Sequence, residues 1–181
     1  MKENSRVIKA AGVVGAATFL SRILGYIRDA VSAWYFGAGH SSDALIAAVR
    51  IPNLLRKLLG EGAISNAFIP VLTDYLTEDG KDEGLHLARS ALFVMSILLV
   101  VLSIFGILLA PLIVKVIAPG FFGSPGKIPL TITLTRIMFP YIFFIGLVAL
   151  CMGILNVFGH FAAPALAPVL LNLAMIGSVI F

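Results

Sequence analysis

The sequence predicts an all-α integral membrane protein, a polytopic bundle of about five transmembrane helices. Three observations carry this. Hydrophobic residues make up 60% of the chain and charged residues only 12%, where soluble domains are about a quarter charged. The mean hydropathy is +1.05. The stretches 91–114, 137–158 and 161–181 hold no Asp, Glu, Lys or Arg, and each is long enough, at about 1.5 Å per helical residue, to cross a hydrocarbon core of about 30 Å.

In chain order, the expected helices cover about 7–36, 43–72, 89–117, 130–158 and 161–181. The N-terminus pairs basic residues with an apolar run. That run continues past Arg22 and Arg28, far beyond the h-region of a signal peptide, so a retained helix is expected. Gly37, Gly39, Ser41 and Ser42 form a turn, with Ser42 or Asp43 as the cap of the second helix. Pro52-Asn53 is expected to kink or break that helix, Gly60-Glu61-Gly62 is a second weak point, and Pro70 closes it. Residues 73–89 are polar and read as a solvated loop or surface helix end. Residues 119–129 are a Gly/Pro-rich turn, and Pro140 interrupts the start of the fourth span. Lys2, Arg6 and Lys9 favour a cytoplasmic N-terminus. The 73–89 segment then lies inside and the 119–129 turn outside, with Lys115 and Lys127 as exceptions to the charge rule.

The chemistry concentrates between Ser21 and Pro70. A charge at the centre of a spanning helix costs roughly 2.5–3.5 kcal/mol, and each Leu, Ile, Phe or Val returns only about 0.3–0.6. About nine such residues between Val13 and Phe36 return roughly 4–5 kcal/mol. Arg22, Arg28 and Asp29 together cost roughly 8–10 if all lie near the centre. These groups therefore face a wet cavity, pair with one another or snorkel. Arg22 and Asp29 are seven apart, as are Asp43 and Arg50, so each pair shares a helix face. Ser21 and Arg28 share a second stripe. Seven residues is too far for a tight bridge within one helix, which points to partners on a facing helix, whereas Lys57 and Glu61 are spaced to pair directly. From Arg22 to Glu61 five cations stand against three anions. That excess suits an anionic ligand, and Arg, with its planar fork, suits phosphate.

Plainer readings stand beside this one. Arg22, Arg28 and Asp29 also read as an interhelical ion-pair network, Arg56 and Lys57 as interfacial anchors, and Arg50 as the structural partner of Asp43. His40, His86 and His160 fall in turns or the polar segment and read as solvated. Cys151, in an apolar setting, reads as an inert packing residue. The net charge of +4 is too small and dispersed to point to nucleic acid. With no metal-ligand spacing, Gly-rich phosphate loop or nucleophile–base set, neither an enzyme nor a cofactor is expected.

Two runs, SRILGYIRDAVSAWYFGAG and SDALIAAVRIPNLLRKLLGEGAISNAFIPVLTDY, closely resemble the start of the MurJ (MviN) family of lipid II flippases. LLAPLIVKVIAPGF and TRIMFPYIFFIGLVALCMGILNVFGHFAAPALAPVLLN agree with it, so the resemblance covers essentially the whole chain. It implies the fold of the multidrug/oligosaccharidyl-lipid/polysaccharide exporters, two pseudo-symmetric lobes around a central cavity, of which residues 1–181 are the N-terminal part of the first. It also implies carriage of the lipid-linked peptidoglycan precursor, an anionic pyrophosphate lipid, from the inner to the outer leaflet of the bacterial cytoplasmic membrane. Arg22, Arg28, Asp29, Asp43 and Arg56 stand where the family keeps cavity charges. Glu61 matches a family glutamate near the cavity and its gate, and Lys57 falls at a basic position. The expected partners are that precursor, membrane lipids and the remaining C-terminal portion of the transporter. Two rivals remain: an exporter of another anionic lipid-linked saccharide, and a non-transporting membrane scaffold subunit.

Overall fold

The computed structural model describes residues 2–37, 39–57 and 67–180; the side chains of residues 2–10, His40, Ile51 and Arg56 lie outside the description. Among the described residues seven α-helices follow one another: α1 (Lys2–Phe36), α2 (His40–Lys57), α3 (Ile69–Glu78), α4 (Lys81–Ile117), α5 (Lys127–Met138), α6 (Pro140–Val157) and α7 (Ala162–Ile180). A short 3-10 helix, Pro119–Gly123, lies between α4 and α5. The described residues form no strand. Three helical stretches among them are long and apolar enough to cross a membrane: α4, α5 continued by α6, and α7. They cover the third, fourth and fifth of the expected spans.

The chain divides into two units, residues 1–38 with 155–181, and residues 39–154. In the first, α1 packs against α7. The contact face of α1 carries Ala17, Ser21, Gly25 and Arg28, one residue per turn and three of them small. On α7 the buried residues are Pro164, Val169 and Asn172. Small side chains allow close approach where lipid supplies no hydrophobic drive between helices. The remainder of α1 presents Phe19, Tyr26, Trp34 and Tyr35 outward.

In the second unit α4 and α5–α6 form an antiparallel pair. Gly106 of α4 lies under the Phe139 ring, and Gly146 of α6 lies under Leu99. Leu99, Phe139 and Ile142 make the core cluster, and Leu55 of α2 packs against it. α2 joins α5 through Ala44, Ala48 and Pro52, all buried, opposite a helix whose buried residues are Lys127, Thr131 and Thr135. Asp43 meets Lys127 at one end of this contact and Leu55 reaches the Phe139 cluster at the other, so α2 and α5 run parallel.

Several expectations change. α2 starts at His40, and Asp43 lies in its first turn rather than at its cap; the amide of Asp43 already donates to the Gly39 carbonyl. Pro52 does not end α2, which continues to Lys57. The ring is fully buried, so its packing offsets the one hydrogen bond that Pro removes. The 73–89 segment is a helical hairpin: α3 and α4 turn at Gly80, whose φ of +94° suits glycine. Leu76 seats against Gly84 there. Cys151 lies exposed on α6 rather than packed inside. Gly60-Glu61-Gly62 lies outside the described residues.

A Cβ at Gly106 would fall inside the Phe139 ring. Gly106→Ala is therefore expected to destabilise the protein by about 1–3 kcal/mol in thermal unfolding in detergent, with Phe139→Leu recovering part of the loss. An unchanged midpoint would contradict this packing.

Candidate functional site

α1 turns its polar face toward α7 at one level. The Arg28 guanidinium donates from Nε (3.0 Å) and Nη2 (2.7 Å) to Oδ1 of Asp29. Nη1 donates to Oδ1 of Asn172 at 2.9 Å and approaches Met175 Sδ at 4.0 Å. The Asn172 amide nitrogen donates in turn to the Ser21 carbonyl (3.0 Å) and its hydroxyl (3.3 Å). Asn172 is thus a coupler. Its oxygen holds Arg28, and its nitrogen anchors it to the α1 backbone two turns below. The shared stripe of Ser21 and Arg28 exists because both meet this one side chain.

Arg28 keeps 28% of its side chain exposed and Asp29 keeps 70%. Three of the five guanidinium N–H groups are used on oxygen, so the plane of the fork is fixed while donors remain for an incoming anion. Arg22 is exposed and makes no ion pair with a described residue. Asp29, on the same stripe as Arg22, pairs with Arg28 instead.

In the other unit, Asp43 does not take Arg50 as its structural partner. Its Oδ2 accepts from Lys127 Nζ at 2.7 Å, with Lys127 9% exposed and Asp43 56%. The same ammonium sits 4.1 Å from the Phe121 ring centroid, a cation–π contact. A seven-residue spacing on one helix leaves Asp43 and Arg50 two turns apart, whereas α5 brings a cation directly alongside. Arg50 and Lys57 are exposed. The side chain of Arg56 and the whole of Glu61 lie outside the described residues, and with them the expected Lys57–Glu61 pair. Among the histidines, His86 and His160 are exposed. No group of His, Cys, Asp and Glu among the described residues is arranged to hold a metal. A recess of about 400 Å³ on the polar start of α4, lined by Asp82, Glu83, Leu85, His86 and Arg89, contains none of the predicted residues.

Sequence reasoning missed Asn172 and Lys127. Asn172 is the one strongly polar side chain between Ala162 and Ile180, which is a signal in itself, because an amide in hydrocarbon needs partners. Lys127 sits in a turn that reads as solvent-exposed.

Against known proteins, the family described as "Lipid II flippase MurJ" matches residues 32–181. The lipid II flippase MurJ of Burkholderia cenocepacia is 43% identical over 175 residues, which is 97% of this chain and 34% of that protein. Probable lipid II flippases MurJ from Buchnera aphidicola subsp. Baizongia pistaciae and Vibrio cholerae are 41% and 39% identical, over 94% and 96% of the chain and 33% and 34% of their own lengths. The chain spans about a third of the length of the curated relatives it matches.

Replacing Asn172 with Leu strips partners from Arg28 and Ser21 together. It is expected to cost about 1–3 kcal/mol in unfolding measurements. Gly25→Ala, whose added Cβ would meet the Asn172 amide nitrogen at an ordinary 3.8 Å, is expected to stay within about 0.5 kcal/mol of the parent. Equal effects of the two would contradict the coupling.

Proposed function

Because the chain belongs to the lipid II flippase MurJ family, we propose that its charged helices form part of the carrier that moves the lipid-linked peptidoglycan precursor from the inner to the outer leaflet of the bacterial cytoplasmic membrane. It is a multi-pass, all-α membrane protein, and a flippase is a carrier that makes and breaks no bond in its cargo. Residues 1–181 then belong to the first lobe of the exporter fold. The cargo is an anionic pyrophosphate lipid, and the remaining partners are the surrounding lipids and the rest of the transporter.

The observation that carries this reading is the Arg28 guanidinium, oriented by Asn172 and Asp29 at 2.7–3.0 Å with donors to spare. A pyrophosphate asks for parallel donors at a fixed angle, which Arg supplies and a pivoting ammonium does not. Arg22, two turns toward the N-terminus, adds an exposed cation. Asp29 keeps the empty state from carrying two unpaired charges on one helix. Arg56, Lys57, Asp43 and Glu61 complete the proposed substrate-binding set.

Transport proceeds by alternating access. The inward-open state admits the headgroup, the arginines take its diphosphate, the lobes rock, and the polyprenyl tail stays in the bilayer. Each elementary charge moved across 100 mV is worth about 2.3 kcal/mol, so membrane potential favours return of a cationic empty site to the inner side.

The test is complementation of cells depleted of their own flippase by the gene that carries this chain, with leaflet-specific labelling of the precursor. Arg28→Ala and Arg56→Ala are expected to lower translocation at least tenfold. Arg28→Lys is expected to fail nearly as badly, since an ammonium cannot hold Asp29 and Asn172 in one plane and still present a fork. Unchanged translocation in the Ala variants would overturn the cationic-site reading.

A further inference from the structure

Lys127 is buried at the wrong end of its helix. It is the first residue of α5, after Gly126, where the backbone dipole is positive and favours anions. Asp43 is in the first turn of α2, and α2 runs parallel to α5, so two positive helix ends adjoin there. An ammonium placed between them, only 9% exposed, destabilises the local structure unless an anion answers it. The Asp43 carboxylate at 2.7 Å and the Phe121 ring face at 4.1 Å are that answer. A half-buried ion pair of this kind, with Lys127 enclosed and Asp43 exposed, is a poor source of stability compared with apolar packing, and the best-attested use of polar pairs between helices is to fix register.

The interface it sits on needs such a device. Over the half of the contact nearer Lys127 the α2 face is Ala44 and Ala48, both small, and the larger side chains, Pro52 and Leu55, come only toward the Phe139 end. Thr131 and Thr135, buried on α5, donate their hydroxyls to carbonyls of their own helix, Lys127 at 2.8 Å and Thr131 at 2.7 Å. Neither hydroxyl proton is spent on α2. A smooth, small-residue contact fixes distance but leaves sliding cheap, because neighbouring positions along each helix present similar shapes. A slip of one residue moves α2 by about 1.5 Å and turns its faces by about 100°.

We propose that Lys127 is a positioning residue that sets the axial register of α2 against α5 through Asp43, and with it the level of the cations Arg50, Arg56 and Lys57 that α2 carries. The register itself is independent of what the protein transports. Its bearing on transport rests on the function proposed above.

The experiment separates the two. In a Cys151→Ser background, spin labels at Ile46→Cys on α2 and Ile137→Cys on α5, both exposed positions, report the interhelical distance by pulsed electron resonance in lipid nanodiscs. Lys127→Ala and Lys127→Asp are expected to broaden the distribution or shift it by a residue or more. Lys127→Arg and the reversed pair Asp43→Lys with Lys127→Asp are expected to restore the parent distribution. The same substitutions in the gene carrying this chain, scored by precursor translocation in depleted cells, are expected to show at least a tenfold loss for Lys127→Ala and recovery to within about threefold for Lys127→Arg. A parent-like distribution in Lys127→Ala overturns the register role. A reversed pair no better than its single reversals overturns the role of the Asp43 contact. An altered distance with parent-like translocation overturns the positioning role and leaves the carrier reading untouched. Loss of translocation in Arg28→Ala alone tests that reading separately.

Discussion

A guanidinium among apolar helices has to be answered by hydrogen-bond acceptors, by water or by an anion. Arg28 is answered by Asp29 and Asn172, and much of the α1–α7 contact follows from that. Ala17, Ser21 and Gly25 are small because a small face lets α7 come close enough for Asn172 to reach both the Ser21 carbonyl and the guanidinium. Asn172 is buried because each end of its amide has a partner. The arginine keeps donors available because three of its five N–H groups are used on these oxygens.

The second unit solves a related problem with different residues. Its α4 and α5–α6 pair is apolar and shape-coded, with Phe139 over Gly106 and Leu99 over Gly146. Such knobs resist sliding, because a ring seated over a glycine has no equivalent seat one residue away. The α2–α5 contact has Leu55 against the Phe139 cluster at one end and carries charge at the other. Packing and electrostatics thus both appear in this unit: bulky side chains join α4 to α5–α6, and the Lys127–Asp43 pair joins α5 to α2.

Much of this was legible in the sequence. Apolar runs without charge marked α4, α6 and α7, and the Ser21–Arg28 stripe called for a partner on a facing helix. The partner itself was not legible, because Asn172 lies 144 positions from Arg28 inside a run whose average polarity is that of lipid. Lys127 was hidden by its neighbours. Gly and Pro on both sides read as an open turn, whereas α2, 84 positions earlier, and the Phe121 ring close over it. Pro52 does not break α2 for a related reason: its cost is local and visible in sequence, whereas the burial that offsets it is tertiary. The expected break and cap positions around α2 depended on such local signals, and those are the features the tertiary contacts overrode.

The claim on which the rest depends is that the Arg28 fork, fixed by Asn172 and Asp29, meets the diphosphate of the cargo. Solid-state nuclear magnetic resonance with arginine 15N and the native 31P of a bound lipid-linked pyrophosphate measures that contact directly, Arg28→Lys assigning the signal. The account requires 15N–31P dephasing from the Arg28 guanidinium at a separation of about 4 Å, a hydrogen bond's reach from nitrogen through oxygen to phosphorus. Bound cargo with no dephasing at Arg28 would contradict it.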